Sequence, residues 1–144
     1  MPRIAQLTAP GKIQIQDSPS LMAGPGETII QVKHAGVCGT DLALFNGDYF
    51  VPLPHVCGHE FTGTVKQIGQ GVNSKWLGKT VTAEINNTCI AYNRKSLCSA
   101  CKNRLPSLCL KRTVTGIIQH SGAFAEEVAV AAGTLHEIPD SVDL

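Results

Sequence analysis

Apolar residues recur at every second position along much of the chain, the period of a half-buried strand rather than of a helix. Residues 4–9 and 12–16 read as two short strands around a turn at Pro10-Gly11, with Ile13 and Ile15 alternating against Lys12, Gln14 and Gln16. After the turn Gly24-Pro25-Gly26, residues 27–37 (ETIIQVKHAGV) form a longer strand with Ile30, Val32 and His34 on one face. Residues 61–68 (FTGTVKQI) and 79–85 (KTVTAEI) are rich in β-branched residues and read as strands on either side of a glycine-punctuated loop. Strand character returns at 124–130 and 135–139. The pattern supports one short helix, 40–45, capped by Thr40 or Asp41 and ended by Asn46-Gly47. Residues 51–55 (VPLPH) carry two prolines and must be extended.

Residues 86–112 break the alternation. They are polar, lack apolar periodicity and hold four of the six cysteines. So long a stretch without its own core needs another fastening. Cys98 and Cys101 stand in C-x2-C spacing, the knuckle that aims two thiolates at one ion, and Cys89 and Cys109 flank them. Four thiolates would close a tetrahedral structural zinc site. Disulfides or unrelated buried thiols are the alternatives, and Cys89, separated from Cys98 by eight residues, is the least regular member.

Composition narrows the classes. The chain has 144 residues, enough for one domain, and 43% hydrophobic residues with only 5% aromatics, so the core is aliphatic. A net charge of +1 without a basic run gives no footprint for nucleic acid. No apolar stretch reaches bilayer length and the N-terminus has no signal core, so a cytoplasmic location is expected. There thiols stay reduced, which favours metal over disulfides.

A second constellation is Cys38, His59 and Glu60: thiolate, imidazole and carboxylate, the common zinc donors. Spacing alone ties them only weakly. If they share an ion, Thr40 stands two residues from it with a hydroxyl able to pass a proton, and Asp41 could orient the His59 ring. His34, His55, His120 and His136 read as ordinary surface or packing residues, and Cys57 as a core thiol beside the site.

Four stretches in order, AGVCGTD (35–41), GHE (58–60) followed by FTGTV, SLCSACKNRLPSLC (96–109) and TGIIQHSGAFAEEVAV (115–130), resemble the medium-chain, zinc-dependent alcohol dehydrogenase superfamily. The resemblance implies its N-terminal catalytic domain: a mainly β, GroES-like, partly open β-barrel with short helices and a cysteine-rich structural-zinc lobe. It implies catalytic-zinc ligands at Cys38 and His59, with Glu60 as the adjacent carboxylate. Thr40 would start the proton relay, and Cys89, Cys98, Cys101 and Cys109 would hold structural zinc. The reaction implied is oxidation of a small alcohol to a carbonyl with hydride transfer to NAD or NADP.

Two departures accompany the resemblance. The family spaces its first two structural cysteines by two residues, whereas eight, IAYNRKSL (90–97), stand here. A bulged loop that returns Cys89 to the ion is expected. The chain also ends at Leu144 with no G-x-G-x-x-G, before the family's nucleotide-binding domain. Residues 1–144 are therefore expected to be a single catalytic-domain portion, with a lobe at 86–112, inactive alone and able to associate with further copies. A non-catalytic, zinc-stabilised binding module on the same barrel is the competing reading. Cys38-Gly-Thr40-Asp41 together with Gly58-His59-Glu60 argues against it.

Overall fold

The computed structural model describes residues 1–142. The strands are β1 (Arg3–Ala9), β2 (Lys12–Asp17), β3 (Glu27–Gly36), β4 (His55–Val56), β5 (Glu60–Ile68), β6 (Thr80–Ala83), β7 (Asn86–Asn87), β8 (Thr113–Val114), β9 (Glu127–Ala131) and β10 (Leu135–Glu137). The α-helices are α1 (Gly39–Asn46) and α2 (Ser99–Lys102). A five-stranded antiparallel sheet runs β10-β6-β5-β3-β9, a three-stranded one β2-β1-β4, and β7 pairs with β8.

The main core lies against the five-stranded sheet, where Ile30, Phe61, Val65, Val81, Val128, Val130 and Leu135 meet. These are largely the β-branched positions of the alternating segments. Each fully buried side chain of this kind contributes about 1.5–3 kcal/mol. A second cluster, Leu7, Leu44, Val51 and Cys57, fastens α1 to the three-stranded sheet. The two sheets meet where Ala5 N–H donates to Phe124 O at 2.8 Å and Glu126 N–H to Arg3 O at 2.9 Å. They do not merge into one continuous ladder, so the barrel is mainly β, GroES-like and partly open.

Several boundaries differ from the alternation. The segment expected to start a strand at Phe124 instead makes a single bridge, Ala125 to Ile4, and β9 begins only at Glu127. The strand expected over 79–85 is paired only from Thr80 to Ala83. In β3 the register slips between Ile29 and Ile30 and again between Val32 and His34. Thr28, Ile29 and Ile30 are buried in succession although their pairing with β9 is regular, so both faces of this interior strand are covered there. On the edge strand β2, Ile13 and Ile15 both remain exposed. The proline-rich 51–55 segment is not uniformly extended: Leu53-Pro54 is cis, and His55–Val56 then pair with β1.

Candidate metal centres

Strand β3 delivers the chain to α1 through Val37 and Cys38. Cys38 is the helix N-cap, with φ −108° and ψ 174°, and its Sγ accepts the Thr40 N–H at 3.3 Å. Asp41 closes the reciprocal half of a capping box: its Oδ2 accepts the Cys38 N–H at 3.0 Å. The cap therefore lies ahead of the Thr40 or Asp41 expected from sequence, because a cysteine sulfur fills the place usually held by a hydroxyl or carboxylate. Asp41 is buried, and its second oxygen, Oδ1, accepts the Gly58 N–H at 3.1 Å. One carboxylate thus ties together the two segments that carry Cys38 and His59.

Gly58 is obligatory for that arrangement. Its φ is +95°, and a Cβ there would stand 2.6 Å from the Phe124 ring and 2.7 Å from the Phe124 nitrogen. The segment 122–124 straps Gly58 down through Gly122 N–H to Val56 O at 2.7 Å, Ala123 N–H to Gly58 O at 2.8 Å and Phe124 N–H to Cys57 O at 2.9 Å. Held in this way, the buried His59 places Nε2 3.0 Å from Cys38 Sγ. Its Nδ1 faces Asp41 Oδ1 at 3.5 Å and has no hydrogen-bond partner. Glu60 opens β5 opposite Gly36, and one donor atom each from Cys38, His59 and Glu60 lies within 4.8 Å of the others. Thr40 is half-buried at the start of α1.

A cavity of about 640 Å³ opens beside this cluster, walled by His34, His59, Glu60, Phe61, Thr82 and Asn86. His34, an ordinary packing or surface histidine by sequence, thus stands on the cavity wall. Its alternation with Gly36 along β3, opposite Thr62 and Glu60, was the available signal, and the second bulge obscured it. Tyr49 and Phe50 line a separate apolar recess with Leu7, Leu44, Val51 and Leu53. Cys57 is a buried thiol pushed up to about 11 by burial and by the Asp41 charge, so it stays protonated and lies outside the donor cluster.

The second centre is closed. Cys89, Cys98, Cys101 and Cys109 are all buried, with donor atoms within 4.8 Å of one another. Cys98 Sγ lies 3.8 Å from Cys109 Sγ, which lies 3.6 Å from Cys89 Sγ. A covalent disulfide needs about 2.05 Å, whereas edges of about 3.8 Å separate sulfurs around tetrahedral zinc. The four sulfurs therefore fit a zinc ion. The eight-residue gap folds into consecutive turns: Thr88 Oγ1 accepts the Ala91 N–H at 3.2 Å, and Cys89 O accepts the Arg94 N–H at 3.0 Å. The Cys101 N–H holds the Cys98 thiol down at about 6, while burial and the neighbouring sulfurs of Cys109 and Cys98 push Cys101 up to about 12.

Residues 24–140 match the alcohol dehydrogenase GroES-like domain. The chain belongs to that family. It is 35% identical over 133 residues to a sorbitol dehydrogenase of Halalkalibacterium halodurans, covering 92% of this chain and 37% of that protein. It is 31% identical to an L-threonine 3-dehydrogenase of Shewanella baltica, covering 99% and 41%. Among solved structures, an alcohol dehydrogenase from E. coli CFT073 complexed with NADH superposes with a TM-score of 0.84 at 28% identity, covering 99% of this chain and 40% of that one. A cobalt- and zinc-bound thermostable alcohol dehydrogenase from Pyrobaculum aerophilum gives 0.81 at 28%, covering 99% and 42%. The chain thus spans about two fifths of the length of these relatives. The GroES-like domain brings all seven expected donors into the two clusters, and no helix of its described residues is long and apolar enough to cross a membrane.

Proposed function

We propose that residues 1–144 are the catalytic-domain portion of a zinc-dependent oxidoreductase that interconverts small alcohols and carbonyl compounds. The observation that carries this reading is the convergence of Cys38, His59 and Glu60 donors beside the cavity, fixed by Asp41. The donor set fits zinc: one thiolate, one imidazole and one carboxylate, with the His59 Nδ1 turned toward a carboxylate as metal-ligating histidines require. When bound, zinc supplies Lewis-acid polarisation that lowers the pKa of an alcohol. Cys38 and His59 would hold the ion and Glu60 would stand at its exposed side. Asp41, facing Nδ1 at 3.5 Å, would favour the proton on that nitrogen and leave the Nε2 lone pair for the ion. Thr40 would accept the substrate hydroxyl proton and pass it outward. The hydride acceptor, NAD or NADP, would be held by residues other than these, since no G-x-G-x-x-G is present. These 144 residues alone are accordingly not expected to turn over an alcohol. Cys89, Cys98, Cys101 and Cys109 would hold a structural zinc in the 86–112 lobe.

Cobalt(II) substitution tests the assignment. The chain should bind cobalt with thiolate charge-transfer bands from both centres. Cys38→Ser should remove one set, and a small alcohol or aldehyde should shift that same set in the unmodified chain. Spectra unchanged by Cys38→Ser and insensitive to alcohols would sink the catalytic assignment while leaving the cysteine lobe intact.

A further inference from the structure

Away from both centres, a cavity of about 570 Å³ lies between the 90–97 loop and two glycine turns of the barrel. Its walls include Gly26, Gln70, Tyr92, Asn93, Arg94 and Lys95. No carboxylate is among the wall residues. The nearby Glu27 accepts the Gly24 N–H at 2.9 Å and forms no part of the wall.

The loop is seated rather than draped. Gly26 has φ +75°, and a Cβ on it would stand 2.1 Å from the Tyr92 carbonyl oxygen. On the far side Gly133 N–H donates to Ala91 O at 2.9 Å, while Gly26 N–H donates to Gln70 O at 2.9 Å. Two remote segments therefore meet the loop backbone at Ala91 and Tyr92, and the Gln70 turn is tied to one of them. On that base the Arg94 guanidinium carbon lies 4.7 Å from the Tyr92 ring centroid. A stacked guanidinium keeps its planar edge free and oriented, the geometry that receives a phosphate or carboxylate through two parallel hydrogen bonds. Lys95 adds a second positive charge beside it.

The sequence segment that carries the loop has the same sign. Arg94, Lys95, Lys102, Arg104, Lys111 and Arg112 all lie within 86–112, are all exposed, and share that segment with no Asp or Glu. Of these, Arg94 and Lys95 stand on the concave wall itself, where two like charges concentrate anions. The volume far exceeds a bare phosphate, and the wall offers the Gln70 and Asn93 amides for neutral hydroxyls.

We infer that the 90–97 loop and the Gly26 and Gln70 turns form a binding site for a small phosphomonoester, with Arg94 and Lys95 on the phosphate. The site is independent of the oxidoreductase reading. The test is an amide chemical-shift titration of the zinc-loaded chain with glycerol 3-phosphate and with inorganic phosphate, at fixed ionic strength. The ester should saturate, bind tighter than inorganic phosphate, and perturb Gly26, Gln70, Gly71, Arg94 and Lys95 most. Arg94→Gln should weaken it by about tenfold or more, and Lys111→Gln should not. If Arg94→Gln disturbs the fold, Lys95→Gln gives the same readout with a smaller loss. Perturbations spread evenly over Lys102, Arg104 and Lys111, ester binding no tighter than inorganic phosphate, or an Arg94→Gln affinity within twofold of the original would each overturn the proposal.

Discussion

The two donor clusters of this chain use overlapping chemistry in opposite settings. The four cysteines are identical donors, buried on all sides, in a segment whose only strands are the two-residue β7 and, just past it, β8. Cys38, His59 and Glu60 are three different donors, graded from buried His59 to exposed Glu60, on a barrel with an apolar core of its own. A closed set of like donors can only fasten chain to chain. A mixed set with an exposed side beside a cavity can exchange ligands. On the function proposed above, that difference would give one cluster to folding and the other to chemistry.

Removing one sulfur from each breaks the symmetry of that comparison most strongly. Cys98→Ser should release the lobe's metal and unfold 86–112, because binding energy and lobe folding are the same quantity there. Cys38→Ser should lower the metal content of the other site yet leave the thermal midpoint nearly unchanged. Metal analysis with calorimetry reads both, and the ion held by the four cysteines should be the more firmly retained. Loss of bound zinc only in the Cys38 variant would contradict it.

Asp41→Ala comes next. It leaves the Cys38 and Gly58 N–H groups without their acceptor, removes the helix cap and deprives His59 of its facing carboxylate. A cost of about 2–4 kcal/mol in denaturant unfolding is expected. Metal affinity at Cys38 and His59 should fall with it, while the cysteine lobe keeps its ion. An unfolding cost below about 0.5 kcal/mol would show that Asp41 does not join the two segments.

The smallest effect lies outside both clusters. Burial works to raise the Glu127 carboxyl, but the Lys66 ammonium and the Leu21 N–H outweigh it and hold the group below its ordinary 4.5. A depressed carboxyl stabilises the fold above pH 4.5 and loses that contribution as pH falls through its folded value. Lys66→Met should raise the Glu127 value and start acid unfolding at a higher pH, with about 1 kcal/mol or less lost at neutrality because Lys66 is half-exposed. Unchanged acid limbs in the two proteins would exclude the pair as the cause.

Much of this was legible from residue types. Strands β3 and β5 and the end of α1 at Gly47, whose φ is 85°, follow from local chemistry, and so does the C-x2-C knuckle. What local pattern could not carry was set by distant partners. The N-cap moved to Cys38 because Asp41 was free to complete a capping box there. Phe124 left its expected strand because 122–124 is spent strapping Gly58. His34 reached the cavity wall through a bulge that a period-two reading does not contain. The bulged loop expected after Cys89 is built from turns whose partners the spacing does not name: the Thr88 hydroxyl and the seat at Gly26 and Gly133.

That seat sets a condition on anyone wishing to transplant the lobe. Cutting out 86–112 and grafting it onto another barrel would carry the four sulfurs but leave behind Gly26 and Gly133. A host with ordinary side chains at those two places would collide with the Tyr92 carbonyl and the Ala91 backbone. The portable unit is therefore discontinuous: the cysteine segment travels only with two glycines from opposite ends of the sequence.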